Sequence, residues 1–335
     1  MKNNLYVISG VTGMTGNELA RQITNRGQTV IGFDNFFASS IDTVSDISGN
    51  ANFKFYEYDL NNAQHMKNIS QYVKDVKNKF DSIIYINCAA VVHTEYFYHV
   101  ESTFETNVTG MINFMKQAIN TGASQFINCS TSEIYSMQSF SSQGGVSESD
   151  YVMLATAEHS QRTSYAAGKL LTEFFMKDSV DRGLIKGCSI RFANVYSKNE
   201  RFSKHIIPHI INSLYNSGKL ELLENSRINR RTFLHNYDSC AAVLALSDTE
   251  KTLDGSVYNV ATDEEVTIIE LAEMIAQKLN QKQPDIIFNG WRSADPERRL
   301  LNTEKLRTAT GWKPAVSLSE GLDLCLDFIR SGANK

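Results

Sequence analysis

The chain has 335 residues, 42% hydrophobic and 21% charged, a profile that supports a real buried core and argues against disorder. Thirty-three Lys+Arg against thirty-seven Asp+Glu leave a formal charge of −4, which offers no basic face for nucleic acid and no polybasic membrane anchor. The longest apolar runs, such as 82–88, are strand-length, so no segment is expected to span a bilayer.

In chain order, β-rich runs at 5–9, 29–33, 53–58, 82–87, 125–129 and 187–192 alternate with helix-length stretches at 14–26, 64–79, 101–121 and 164–182. Near-continuously apolar strands separated by helices predict a parallel sheet covered on both faces. The expected fold is therefore α/β, a Rossmann-type doubly wound parallel sheet with its ligand crevice at the carboxyl ends of the strands. Composition then changes, because all four prolines (Pro208, Pro284, Pro296, Pro314) lie beyond residue 207. Shorter elements follow: a helix at 206–217, strands near Leu220 and Phe233, and helices at 236–246, 267–280 and 318–330. Residues 1–194 are expected to form a first domain and 195–335 a smaller C-terminal α/β lobe, with 231–250 packing back onto the first domain. The Ser/Gly/Gln stretch 136–145 is expected to be a mobile surface loop.

The five cysteines are scattered, odd in number and never spaced Cys-x-x-Cys, so they read as reduced core thiols. His205 and His209 stand four apart on one predicted helix, but nothing nearby completes a ligand set, and no metal is expected.

The first strand runs into Gly10-Val-Thr-Gly13-Met14-Thr15-Gly16 and then a helix. Glycines there allow a tight turn and let a pyrophosphate approach the backbone at a helix N-terminus, where free amides and the dipole favour anions. Asp34 ends the second strand, about twenty residues further on, where an acid can accept bonds from ribose hydroxyls. Its charge would repel a 2′-phosphate, so NAD is expected rather than NADP. Asp59 ends the third strand and is placed to reach the adenine. Residues 1–194 thus become the expected NAD-binding domain.

Tyr165-Ala-Ala-Gly-Lys169 opens a helix with Tyr and Lys one turn apart on one face. A lysine cation beside a phenol stabilises the phenolate, which can then act as general base on a sugar hydroxyl. Upstream, Cys129-Ser-Thr131-Ser132-Glu133 follows the fifth strand, and Thr131 can share the substrate proton. A non-catalytic dinucleotide sensor on the same fold would have no need of Thr131, Tyr165 and Lys169 together.

With these motifs in this order, the chain resembles the extended short-chain dehydrogenase/reductase family, in its NAD-dependent nucleotide-sugar epimerase, dehydratase and decarboxylase group. The resemblance rests on Gly10–Gly16, Asp34 with its neighbour Asn35, the Asp59-Leu60 pair, Asn87-Cys-Ala89-Ala90, and Asn107 in Thr-Asn-Val-Thr-Gly. It also rests on Thr131, Tyr165 and Lys169, Arg191-Phe-Ala-Asn194-Val-Tyr, Arg231-Thr-Phe-Leu-His, and the basic stretch from Trp291 to Arg299. It implies cofactor contacts from Gly10, Gly13, Met14, Thr15, Gly16, Asp34, Asn35, Asp59, Leu60, Ala89, Ala90, Asn107, Tyr165 and Lys169. It implies catalysis by Thr131, Glu133, Tyr165 and Lys169, and substrate contacts from His93, Ser132, Asn194, Arg231, Arg298 and Arg299. The substrate implied is a nucleoside-diphosphate sugar and the location the cytoplasm, in keeping with a first strand that begins at Leu5. Ser136 where the family has Gly, Gln161-Arg-Thr-Ser without the usual proline, and Ser197-Lys198 in place of Gly-Pro mark departures in the loops.

The resemblance also frames the choice of reaction. Epimerases of the group carry a small residue two places after the triad hydroxyl, where this chain has Glu133. Ser-Thr-Ser-Glu resembles 4,6-dehydratases and uronate decarboxylases, both of which oxidise C4 to a ketone first. The sequence leans to 4,6-dehydration, with Glu133 moving the C5 proton, and with 4-epimerisation or decarboxylation as alternatives. Arg299 aligns with an arginine at the decarboxylases' sugar site. Tyr96, Phe97 and Tyr98 lie where sugar or nucleobase would dock, with core packing expected for at least one. Family members pair through helices 101–121 and 164–182, so Phe104, Met111, Phe114, Leu170, Leu171 and Phe174 are expected to build a homodimer.

Overall fold

The computed structural model describes residues 3–135, 144–161, 163–200, 202–281, 284–292 and 295–331. Of the expected loop at 136–145 only Gly144 and Gly145 fall within that set, and Ser136 lies outside it. The first half runs β1 (Asn4–Ser9), α1 (Met14–Asn25), β2 (Thr29–Asp34), β3 (Phe53–Glu57), α2 (Ala63–Val76) and β4 (Ser82–Asn87). Next come α3 (Val100–Phe104), α4 (Met111–Thr121), β5 (Gln125–Thr131), α5 (Thr163–Asp181), β6 (Lys186–Phe192) and β7 (Asn194–Tyr196). The remainder holds α6 (Ile206–Ser217), β8 (Lys219–Leu222), β9 (Arg230–His235), α7 (Asn236–Asp248), β10 (Asp254–Val260) and β11 (Glu265–Thr267). It closes with α8 (Ile268–Lys278), β12 (Asp285–Phe288), β13 (Arg298–Arg299), α9 (Glu304–Thr310) and α10 (Leu318–Arg330).

The central sheet is seven-stranded and parallel throughout, in the order β10-β6-β5-β4-β1-β2-β3. Its order reverses between β1 and β4, and that switch point sets the crevice at the strands' carboxyl ends. Both faces are covered, so the inner strands are apolar on both sides. Ile8, Ile86 and Ile127 face α1 and α7, while Leu5, Val7 and Phe126 face α2 and α4. The seventh strand, β10, carries apolar residues only at Val257, Tyr258 and Val260, too few to register as a strand in the sequence. α7 joins the sheet's core through Cys240, Val243 and Leu244, and its Asn236 side chain donates to the Met14 carbonyl at 3.4 Å.

The lobe buries a separate core between α6, α8 and α10, around Ile210, Leu271 and Leu322. Capping boxes start two of these helices, Thr267 with Glu270 and Ser317 with Glu320. A small sheet around β9, with β7, β11 and β13, forms the lobe wall nearest the crevice.

The stretch expected as one helix over 101–121 is α3 and α4 joined by a π-helical turn, Glu105–Gly110. That turn bulges Asn107 towards the loop after β4. Met111 and Phe114, expected on a subunit surface, are fully buried against the sheet, and Leu170 is partly buried. Phe104, Leu171 and Phe174 stay exposed. No helix among the described residues is long and apolar enough to cross a membrane.

Candidate active site

The carboxyl ends of β1, β2, β4, β5 and β6 open onto a cleft of about 1030 Å³ shared with the lobe, roomy beside the 300–1,000 Å³ common for single-ligand sites. At one end stands the glycine turn. Gly10 has φ +68°, and a Cβ there would lie 2.7 Å from the Ala89 backbone; a Cβ on Gly16 would lie 2.2 Å from the Gly10 carbonyl oxygen. α1 starts at Gly13 with no side-chain cap and no acid in its first turn, so Met14, Thr15 and Gly16 present their amides where an anion is favoured. Asp34 is buried at the end of β2, and its carboxylate accepts from the Thr12 amide at 3.1 Å and the Phe36 amide at 2.9 Å. The second bond holds Phe36 in the left-handed region at φ +60°. Each Asp34 oxygen keeps a further lone pair for a hydroxyl. Asn35 donates to Asp59 at 3.1 Å, and both line the cleft with Leu60, Ala89 and Ala90. The close-packed glycines, open amides and buried acid fit a dinucleotide.

Deeper in, Tyr165, Lys169, Thr131 and Glu133 share the wall. The Tyr165 ring is buried and stacks on Phe97, centroids 4.2 Å apart and 8° from parallel, so Phe97 packs against it. Lys169 is buried, donates to the Cys129 carbonyl at 2.9 Å, and burial pulls its pKa down to about 8. The Thr131 hydroxyl accepts from the Glu133 amide at 3.1 Å, which leaves its own proton to donate.

The opposite wall carries arginines that already hold carboxylates. Arg299 pairs with Glu133 at 2.7 Å and Arg231 with Asp295 at 2.8 Å. Burial works against the Arg299 cation, and the Glu133 carboxylate more than offsets it, so its pKa is raised. Burial, then the Arg299 charge, pulls Arg231 down to about 10. His93 lines the cleft and stacks on Phe202 at 3.9 Å, and Asn194 lines it while donating to the Thr232 carbonyl.

Three expected contacts are not on the cleft wall. Asn107 spends both its amide groups on Val91, accepting from its N–H at 2.7 Å and donating to its carbonyl at 3.0 Å, and so shapes the loop after β4. Ser132 is buried away from the cleft. Arg298 turns outward to Glu265 at 2.7 Å, because neighbours in a strand face opposite sides and Arg299 faces in.

Several contributors went unread in the sequence. Asp295 was seen only as part of a basic stretch. His205, considered only with His209, is instead bonded to Glu200 at 2.7 Å on the cleft wall. Among the described residues no cluster of three metal-ligating side chains occurs. Glu173, buried on α5 and bonded to Ser130 and Arg191, carried the signal of its i+8 spacing from Tyr165.

Fold and site together define a dinucleotide-binding α/β protein whose buried Tyr165 and Lys169 share a cleft with a charged lobe. Residues 6–261 match the NAD dependent epimerase/dehydratase family; the chain belongs to it, and NAD is its cofactor. A dTDP-D-glucose 4,6-dehydratase of Mus musculus is 23% identical over 300 residues, covering 88% of this chain and 79% of that protein. UDP-glucuronic acid decarboxylase 1 of Arabidopsis thaliana is 25% identical over 343 residues, covering 97% and 69%. The dTDP-glucose 4,6-dehydratase DesIV of Streptomyces venezuelae, solved with NAD bound, shares the fold with a TM-score of 0.84, at 19% identity over 98% of both chains.

Proposed function

We propose that the protein oxidises C4 of a nucleoside-diphosphate hexuronate and then releases its C6 carboxylate as carbon dioxide. The observation that carries this reading is Arg299. Its guanidinium lies at the cleft wall, one edge on Glu133, while its Nε is buried with no hydrogen-bond partner. A buried donor without a partner is unfavourable, and a substrate carboxylate arriving at that edge would satisfy it. When bound, NAD supplies the hydride acceptor and later returns the hydride.

The chain's own groups do the rest. Tyr165 takes the C4 hydroxyl proton, Lys169 holds the phenolate, and Thr131 donates to the same oxygen. With a ketone at C4, the C5–C6 electron pair flows onto the ketone oxygen as carbon dioxide leaves, and C5 then takes up a proton from water in place of the lost carboxylate. No additional base is required, which suits a Glu133 already engaged by Arg299.

The 4,6-dehydration favoured by the sequence is the second reading, supported by the place of Glu133 on the cleft wall two residues past Thr131. It would need Glu133 to leave Arg299 and serve as both base and acid, since Ser132 is buried elsewhere. We further propose that residues 1–194 with 231–250 hold the cofactor and the remainder of 195–335 the nucleotide. Phe104, Leu171 and Phe174, at 46%, 38% and 65% exposure, are proposed to cover one another in a homodimer, which light scattering checks. Mass spectrometry of products from UDP-glucuronate, dTDP-glucose, GDP-mannose and UDP-glucose tests the reaction. Loss of carbon dioxide is expected; loss of water, or C4 inversion at unchanged mass, would replace this reading.

A further inference from the structure

Tyr165, Lys169 and Glu173 recur every four residues on α5 and are all buried. Successive steps of 400° advance the side chains by only about 40°, so the three share one face of the helix. That face is laced to consecutive residues at the end of β5. Asn128 donates to the Thr172 hydroxyl at 3.0 Å, Lys169 donates to the Cys129 carbonyl at 2.9 Å, and the Ser130 hydroxyl donates to Glu173 at 2.6 Å. The next strand residue is Thr131.

Glu173 is gripped from the neighbouring strand as well. Arg191 on β6 is the register partner of Ser130 and donates to the Glu173 carboxylate through Nε at 3.0 Å and Nη2 at 2.6 Å. Its Nη1 donates to the Tyr135 hydroxyl at 2.5 Å, which in turn donates to Asn259 at 3.1 Å. The carboxylate is thus fixed against both strands, one helical turn beyond Lys169.

We propose that Glu173, clamped by Arg191, is a positioning residue that locks the Tyr165/Lys169 face of α5 onto the Thr131 end of β5 and keeps Lys169 a cation. The proposal rests on the reading of Tyr165 and Lys169 as the proton-handling pair, and goes beyond it by assigning what holds them. Lys169 is surrounded by Cys129 of β5, Cys88 just past β4, and Glu173 of its own helix. Of the three, only Glu173 has a fixed ionic partner, Arg191. Burial lowers the lysine's pKa, and Glu173, after Cys129 and Cys88, is one of the three groups that oppose this.

The test needs no substrate, so its failure is distinct from failure of the proposed reaction. Whole protein is prepared with lysine isotopically labelled at Cε, the Lys169 signal is assigned by its loss in Lys169→Met, and its titration is followed by NMR. Wild type is expected to titrate near 8. In Glu173→Gln the midpoint should fall by about one pH unit or more, a tenfold weaker hold on the proton. A role limited to packing would leave it in place, and an unmoved midpoint in the folded variant overturns the proposal. Glu173→Gln also strands the Arg191 charge and so risks misfolding. If it misfolds, Glu173→Gln with Arg191→Met removes both charges, and the midpoint must still fall below wild type; no fall overturns the proposal equally.

Discussion

Around the glycine turn the cleft wall is backbone and one carboxylate, whereas around Tyr165 it is charged side chains that hold one another. At the first end, Met14, Thr15 and Gly16 present uncapped amides, and Asp34 is oriented by the Thr12 and Phe36 amides. At the second, Arg299 holds Glu133 and Arg231 holds Asp295, while Glu173 and Arg191 hold each other behind the wall. The first end receives an anion without giving up an existing bond. The second must trade internal partners for substrate, which makes its response to substitution a matter of charge more than of shape.

The largest effect that sharpens this contrast belongs to Tyr165. Tyr165→Phe keeps the ring stacked on Phe97 and removes only the hydroxyl. Sugar oxidation should slow by about 100- to 10,000-fold, in a variant that still folds and holds NAD. Single-turnover absorbance of reduced nicotinamide checks it, and a wild-type rate would remove Tyr165 as the base.

At the cofactor end the effects are on affinity. NADP should bind roughly 100-fold more weakly than NAD, because a 2′-phosphate would be set against the Asp34 carboxylate. Equal affinities by calorimetry would contradict that role. Gly16→Ala places a methyl 2.2 Å from the Gly10 carbonyl oxygen, and relieving the clash must shift the turn. Overpacking of about 1–3 kcal/mol converts to a loss of roughly 5- to 150-fold in NAD binding. A variant that binds NAD like wild type would show that the turn relaxes without consequence.

Glu133→Gln divides the two proposed reactions. As a partner of Arg299 in decarboxylation, Glu133 should be worth about tenfold, the scale of one charge-assisted hydrogen bond. As the base of a dehydration it should be worth about 100- to 10,000-fold. Product formation with the accepted substrate decides between them.

The same contrast explains what the sequence made legible. The glycine turn, Asp34 and the Tyr165–Lys169 pair are local, written within a turn or a βαβ unit, and short-range periodicity reports them. The ion pairs are not. Arg299 meets Glu133 across 166 residues and Arg231 meets Asp295 across 64, so only the folded chain brings them together. Arg298 and Arg299 could not be told apart because the two-residue strand that turns one inward is too short to show a pattern. Asn107 sat in the right motif, but its side chain is consumed by Val91, a detail of the π-helical turn that helix periodicity does not encode. β10 was hidden by its polar first half, and Ser132 by the 3-10 turn that follows β5 and directs it inward.

The smallest effect is on stability, and its sign runs against activity. Burial lowers the Lys169 pKa from 10.5 to about 8, so folding disfavours its charged form. Below pH 8 both folded and unfolded chains hold the proton, and the penalty, about 3 kcal/mol at 1.36 kcal/mol per pH unit, is felt in full. Between about 8 and 10.5 the unfolded chain binds more protons than the native one, so stability rises with pH; above 10.5 it rises no further from this source. Lys169→Met removes the penalty along with the bond to the Cys129 carbonyl, worth about 1 kcal/mol. At pH 7 the inactive variant should therefore be more stable than wild type by about 2 kcal/mol, a few degrees in melting temperature. The gap should narrow from pH 8 upward, close before pH 10.5 and then reverse by up to about 1 kcal/mol, the lost hydrogen bond, as thermal denaturation of the cofactor-free proteins across that range would show. A variant less stable than wild type at pH 7, or a gap that does not change with pH, would mean that Lys169 is held without electrostatic strain and that the charged end of the cleft costs the fold nothing.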